Sequence, residues 1–285
     1  CLVGSEMSKQ FEIRNCPILM FEAKNIEQHY SLEERLFLEK VRGFCQLVED
    51  RYSPYLTDFL NPREIQIVKD LANYYNLKFF VSSTFDNEEY GRVILAPDYY
   101  ELDEDDFEIK RLEISYARQF NKLTHPKILG ALLNQLGLER QVFGDVILDE
   151  EGRVQFNIAS HLASYAIMTI TKIGRVSVTL REVSKDDWIS NQEKYSQSFV
   201  LLSSMRLDNV LSTVLKTSRS NALKLIASGK IKLNYRQIEK SDQIISIGDM
   251  ISVRGFGRFR LGQQEGISKS GKAKVVIDSF LRRQK

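Results

Sequence analysis

The stretch that most constrains this chain runs from Met205 to Leu261, where apolar spacing switches from a helical period to an alternating one. Leu207, Val210, Leu211 and Val214 recur at i, i+3, i+4 and i+7, the stripe of an amphipathic helix. Thr217 or Ser218 offers an N-cap for a second helix with an inner face of Ala222, Leu223, Ile226 and Ala227. Gly229 stands where a left-handed C-cap belongs. Ile231 and Leu233 then alternate with Lys230, Lys232 and Asn234, as in a half-buried strand. Gly248-Asp249 reads as a turn before a further strand at Met250, Ile251 and Val253.

Charge sorts along the same boundary. From Phe199 onward there are 17 Lys and Arg against 6 Asp and Glu, whereas the preceding residues hold 23 against 32. The formal net charge of +2 hides two opposed halves, and the basic one points to a polyanion. Arg219, Lys224, Lys230, Lys232, Arg254, Arg258 and Arg260 fall off the apolar faces and are expected to reach solvent. Lys216 joins them, and Ser218 and Ser220, with the first amides of the second helix, add donors suited to phosphate. A basic face that is merely solvated is the alternative reading of such charge.

The order of these elements resembles the RNA-binding domain named after ribosomal protein S-four, the alpha-L domain. The matching pieces are Arg206-Leu207-Asp208, Ser218-Arg219-Ser220, Gly229-Lys230-Ile231-Lys232-Leu233-Asn234 and Gly248-Asp249. The resemblance implies two packed helices, a small sheet and recognition of structured RNA by shape and backbone charge. On the matching positions it places RNA contacts at Arg206, Arg219, Ser220, Lys224, Lys230 and Lys232, and Lys216, Ser218, Asn234, Arg254, Arg258 and Arg260 complete the expected RNA-binding set. Asp208 is expected to act as a helix-start charge.

Upstream, Ser31 to Arg51 reads as a helix with a Ser31–Glu34 capping box and an apolar face of Leu32, Leu36, Val41, Phe44 and Val48. Asn61-Pro62-Arg63-Glu64 opens another, followed by strands at Lys78 to Ser82 and Arg92 to Ala96. Glu101 to Glu108 packs six acids into eight residues and is expected to be a solvated linker. Residues 108–183 then read strand, helix, strand, strand, helix, strand, a ferredoxin-like order also used by RNA-recognition domains. The fold class is therefore α+β. The expected divisions are an extension or expression remnant over 1–24 and a small N-terminal α/β domain over 25–100. An acidic linker over 101–107 leads to an RRM-like βαββαβ domain over 108–183, an S-four domain over 199–262 and a basic tail over 263–285.

Motifs across the chain resemble the YlmH family: Phe59-Leu60-Asn61-Pro62-Arg63-Glu64, His125-Pro126-Lys127-Ile128-Leu129-Gly130-Ala131-Leu132, Gly144-Asp145-Val146-Ile147 and Lys172-Ile173-Gly174-Arg175. The basic ending Ser268-Lys269-Ser270-Gly271-Lys272-Ala273-Lys274 is similar too. The chain departs near Asn87 to Arg92, where the family usually has a Gly-rich, more basic turn. The resemblance implies a non-catalytic factor on the free large ribosomal subunit, binding ribosomal RNA and tRNA in quality control of stalled peptidyl-tRNA. It also implies a link to cell division, since relatives in Gram-positive bacteria lie beside division genes. Neither a cofactor nor a small-molecule substrate is expected, and the chain is taken to act as a monomer.

An RNA-modifying enzyme and a cell-division adaptor are the alternatives. Arg206-Leu207-Asp208 has the letters of a pseudouridine synthase motif but runs into Asn209-Val210-Leu211, without that site's Gly and Thr context. Gly255 and Gly257 do not open a helix as a nucleotide-binding loop would, and Ser270-Gly271-Lys272 lacks phosphate-loop spacing. His125 reads as a helix-entry residue, His161 as a first-turn surface residue and His29 as part of a polar lead-in; none has metal-ligand partners at the required spacing. Cys1, Cys16 and Cys45 are few and widely spaced, which fits a reducing cytosol, and no apolar run is long enough to span a bilayer.

Overall fold

The structure is a computed structural model that describes residues 32–86, 88–189 and 196–281. The expected extension over 1–24 and the Ser31 end of the first capping box lie outside these residues. The N-terminal region comprises α1 (Leu32–Arg51), β1 (Tyr55–Leu60), α2 (Pro62–Tyr74), β2 (Lys78–Val81), the short α3 (Ser83–Asp86) and β3 (Gly91–Ala96). Its three strands form an antiparallel sheet in the order β1-β3-β2. Asn61 starts α2 as the sequence implies: its side chain accepts from the Glu64 amide at 3.1 Å, and Glu64 accepts from the Asn61 amide at 2.9 Å. In α1 the buried stripe is Leu38, Val41, Cys45 and Val48; Leu36, expected inside, is 71% exposed because it lies off this stripe. Strand β1 had no alternating signature of its own, and all of β3 is buried because both its faces are covered.

The acidic stretch is more ordered than a solvated linker. It forms a capped 3-10 turn over Glu104–Phe107, and Phe107 is buried against Ile94 and Ala96 of β3. There follow β4 (Ile109–Ser115), α4 (His125–Leu136), β5 (Phe143–Leu148), β6 (Val154–Ala159), α5 (Ser160–Thr169), a small hairpin of β7 (Lys172–Ile173) and β8 (Val176–Ser177), and β9 (Thr179–Glu182). The sheet order β5-β6-β4-β9 is that of the ferredoxin-like fold. Leu112, Ile114, Phe156 and Ile158 point to α4 and α5 and form the core with Ile128, Leu132 and Ala166. The hairpin was not foreseen; it turns at Gly174, whose φ of +62° favours glycine.

The basic end holds β10 (Ser196–Leu202), α6 (Leu207–Val214), α7 (Arg219–Ala227), β11 (Ile231–Leu233), β12 (Arg236–Gln237), β13 (Met250–Val253), β14 (Gly257–Ile267) and β15 (Ala273–Leu281). They build one antiparallel sheet, β10-β15-β14-β13-β11-β12, with both helices packed on one face. Residues 263–281, expected as a tail, are instead the ends of a long β14–β15 hairpin. Val275 and Ile277 are fully buried there, an alternation masked in the sequence by the neighbouring lysines.

The first two regions are tied by buried polar contacts. The Arg92 guanidinium donates to the carbonyl of Thr57 at 2.8 Å and to those of Phe107 and Glu108, both at 3.0 Å. Burial lowers its pKa, and the carbonyls satisfy three of its five donors. Phe59 packs onto Gly144 so closely that a Cβ there would lie 2.8 Å from the ring and 2.8 Å from Asn157. Gly144→Val should therefore cost about 1–3 kcal/mol through overpacking, read as a lower denaturation midpoint.

Candidate RNA interface

Asp208 organises the basic module. Its backbone amide is held by the Ser241 carbonyl at 3.1 Å, and its side chain is only 2% exposed. Arg206 reaches it through two nitrogens, each at 3.2 Å, and Arg219 through two more at 3.1 and 2.7 Å. Burial opposes the carboxylate charge, but the two guanidinium groups outweigh it and hold its pKa below the usual range. The residue expected to be a simple helix-start charge is thus a bridge that fixes two arginines on one edge of the helix pair.

Helix α7 continues that edge. Ser218 caps it by accepting from the Asn221 amide at 3.1 Å, and Lys216 enters the turn at a left-handed φ of +51°. Lys216, Ser218, Arg219, Ser220 and Lys224 are all exposed. Of the expected inner face, Ala222 and Ile226 are buried, whereas Leu223 is 41% exposed and Ala227 also faces solvent; Leu225 packs inward instead.

The other expected contacts lie on a second face. Ile231, Ile251 and Phe259 point to the helices, so the alternate residues Lys232, Ser252 and Arg258 line up across the opposite face in direct register. Lys230 and Arg254 flank this row, both exposed, and Arg260 is exposed one step further along β14. Two of the expected side chains have partners within the molecule. Asn234, though exposed, sits at φ +47° in the β11–β12 turn, donates to Asp249 at 2.8 Å and accepts from the Met250 amide at 2.9 Å. Arg258 is not a solvated cation; its side chain is 24% exposed and pairs with Glu89 at 2.5 Å.

Glu89 belongs to the segment where the family motif lapsed, and sequence reasoning missed its role. It accepts from Tyr235 at 2.8 Å, while its amide donates to Asp145 at 2.6 Å, and Arg236 lies 3.6 Å from Glu34 of α1. The acidic half thus meets the basic half inside the molecule, and the opposed charges were the available signal. Between them lies a cleft of about 860 Å³, walled by Tyr90, His125, Pro126, Leu129 and Arg140 on one side and Lys230, Lys232, Ser252 and Arg254 on the other.

The sheet face of the ferredoxin-like domain opposite its helices is already filled. Arg111, Gln155 and Asn157 lie there and are almost fully buried. Glu88 pairs with Arg111 and also accepts from Asn157; Arg111 stacks 3.8 Å from the Trp188 ring centroid, and Gln155 bonds Asp187 and Ile189. Lys172 and Arg175, by contrast, are exposed on the β7–β8 hairpin.

A helix pair on a basic antiparallel sheet, beside a ferredoxin-like domain, defines a multidomain protein of the S4-containing RNA-binding class. Residues 33–100 match the family model "YlmH, N-terminal", residues 103–187 match "Putative RNA-binding domain in YlmH", and residues 205–251 match "S4 domain". The chain is 32% identical over 254 residues to "Ribosome-associated protein quality control protein P2" of Bacillus subtilis (strain 168), across 89% of this chain and 98% of that protein. It is also similar to the solved structure of cell division protein ylmH from Streptococcus pneumoniae, at 42% identity and a TM-score of 0.51, over 57% of this chain and 98% of that one. The chain belongs to the YlmH family.

Proposed function

We propose that this protein is a non-catalytic, monomeric RNA-binding factor of the cytoplasm. It binds ribosomal RNA and tRNA on the large ribosomal subunit in quality control of stalled peptidyl-tRNA. The observation that carries the reading is the Arg206–Asp208–Arg219 bridge at the head of α7, which presents two oriented guanidinium groups. Planar guanidinium forks suit phosphate oxygens, and their fixed spacing suits the shape of folded RNA more than a base sequence. The name of the Bacillus subtilis relative supports the ribosomal setting.

Crosslinking in cells followed by sequencing of the attached RNA tests this assignment. Reads in large-subunit ribosomal RNA and tRNA support it; reads confined to other RNAs would overturn it. In vitro, Arg219→Glu with Lys224→Glu should weaken binding of a structured RNA by about 10- to 100-fold at physiological salt and flatten its salt dependence by about two charges. Lys224→Glu alone should leave the thermal midpoint within a degree or so of the parent, whereas Arg219→Glu also takes a partner from the buried Asp208 and should lower it by several degrees.

A further inference from the structure

We infer that the cleft between the ferredoxin-like domain and the S4 sheet is a second RNA site, one that takes an extended single strand. The inference rests on the RNA-binding reading above and assigns a different face of the protein. The row Lys232, Ser252, Arg258 floors the cleft on the sheet face turned away from α6 and α7, so this floor is a different surface from the edge of α7 that carries Arg219. The lining carries five Lys and Arg against two carboxylates, Glu89 and Asp145. One of those cations, Arg258, already faces Glu89, which leaves Lys230, Lys232 and Arg254 on the S4 side; on the facing wall Arg140 donates one nitrogen to the Phe143 carbonyl and keeps its positive charge at the cleft.

The facing wall supplies a flat surface. The Arg140 guanidinium lies 4.2 Å from the centroid of the Tyr90 ring, and both groups line the cleft. A basic groove that follows a backbone, joined to an aromatic or guanidinium plane on which a base stacks, is the pairing that recognises single strands. About 860 Å³ has room for a few unstacked nucleotides. The sheet surface that an RRM-like fold offers to bases is closed here by Glu88 and Trp188, so the middle domain meets the strand through the start of α4 and through Arg140.

The test measures binding of the full chain to three probes: a short oligouridylate, an RNA stem-loop and polyglutamate. Ser252→Glu places a carboxylate beside Lys232, and Arg140→Glu reverses charge on the opposite wall. Each variant should weaken oligouridylate binding about tenfold and leave stem-loop binding within about twofold. If Arg140→Glu lowers the thermal midpoint, Ser252→Glu alone decides. Unchanged oligouridylate affinity in Ser252→Glu would overturn the inference, as would tighter binding of polyglutamate than of oligouridylate, which would make the cleft an acidic-peptide site. A parent protein that binds the stem-loop but not oligouridylate sinks the cleft and spares the RNA-binding reading; one that binds neither sinks both.

Discussion

Asp208→Asn should weaken binding of structured RNA about tenfold, even though it removes a negative charge from a basic face. Charge alone predicts the opposite sign, since each added positive charge strengthens attraction to phosphate. The bridge decides between them: Asp208 holds Arg206 and Arg219 through four hydrogen bonds, and a neutral amide cannot accept from both guanidinium groups as strongly. The arginines, both partly exposed, then regain water and rotamer freedom, which must be lost again on binding. The stability cost should be about 2 kcal/mol, because the buried end of the bridge is a charged group. The sign with pH follows from the depressed carboxyl pKa. The contribution to stability is complete above about pH 4, the ordinary carboxylate value, and is lost as pH falls through the lower folded value. Equilibrium binding at fixed salt checks the first claim, and urea denaturation at several pH values the second.

Arg111→Leu should be the most destabilising single change in the middle of the protein. It leaves the Glu88 carboxylate, 4% exposed, without its main counter-charge and removes the cation stacked on Trp188. Stranding one member of a buried pair costs about 3–5 kcal/mol. Arg111→Met together with Glu88→Gln should recover part of the loss, since neither side then carries a buried charge. Glu89 is the next residue and holds Tyr235 and Arg258, so hydrogen exchange should also quicken at 88–90 and around Tyr235. Equal costs for the single and double changes would show that the pair is not what holds this junction.

Much of the architecture was legible because its signals are local. The α6–α7 stripe, the Asn61 cap and the βαββαβ order each follow from a few neighbouring residues. Long-range packing was not legible. Lys272 and Lys274, just ahead of Val275, disguised a strand that only its two neighbours, β10 and β14, make buried. The letter of Asn234 fits the motif but does not show its left-handed backbone or its bonds to Asp249 and Met250, which make it a turn residue as well. Glu89 carried no motif at all; its partners lie 146 and 169 residues away in sequence. A set of cations that looked continuous in sequence is divided by the sheet into an edge along α7 and a row facing the cleft.

Sedimentation of the full chain with purified large ribosomal subunits, at low and at high salt, tests the central claim most directly. The account predicts co-migration at low salt, release at high salt, and loss at both when Arg219 and Lys224 are changed to Glu. Parent protein that stays at the top of the gradient at both salts, or a variant that still co-migrates like the parent, would contradict it.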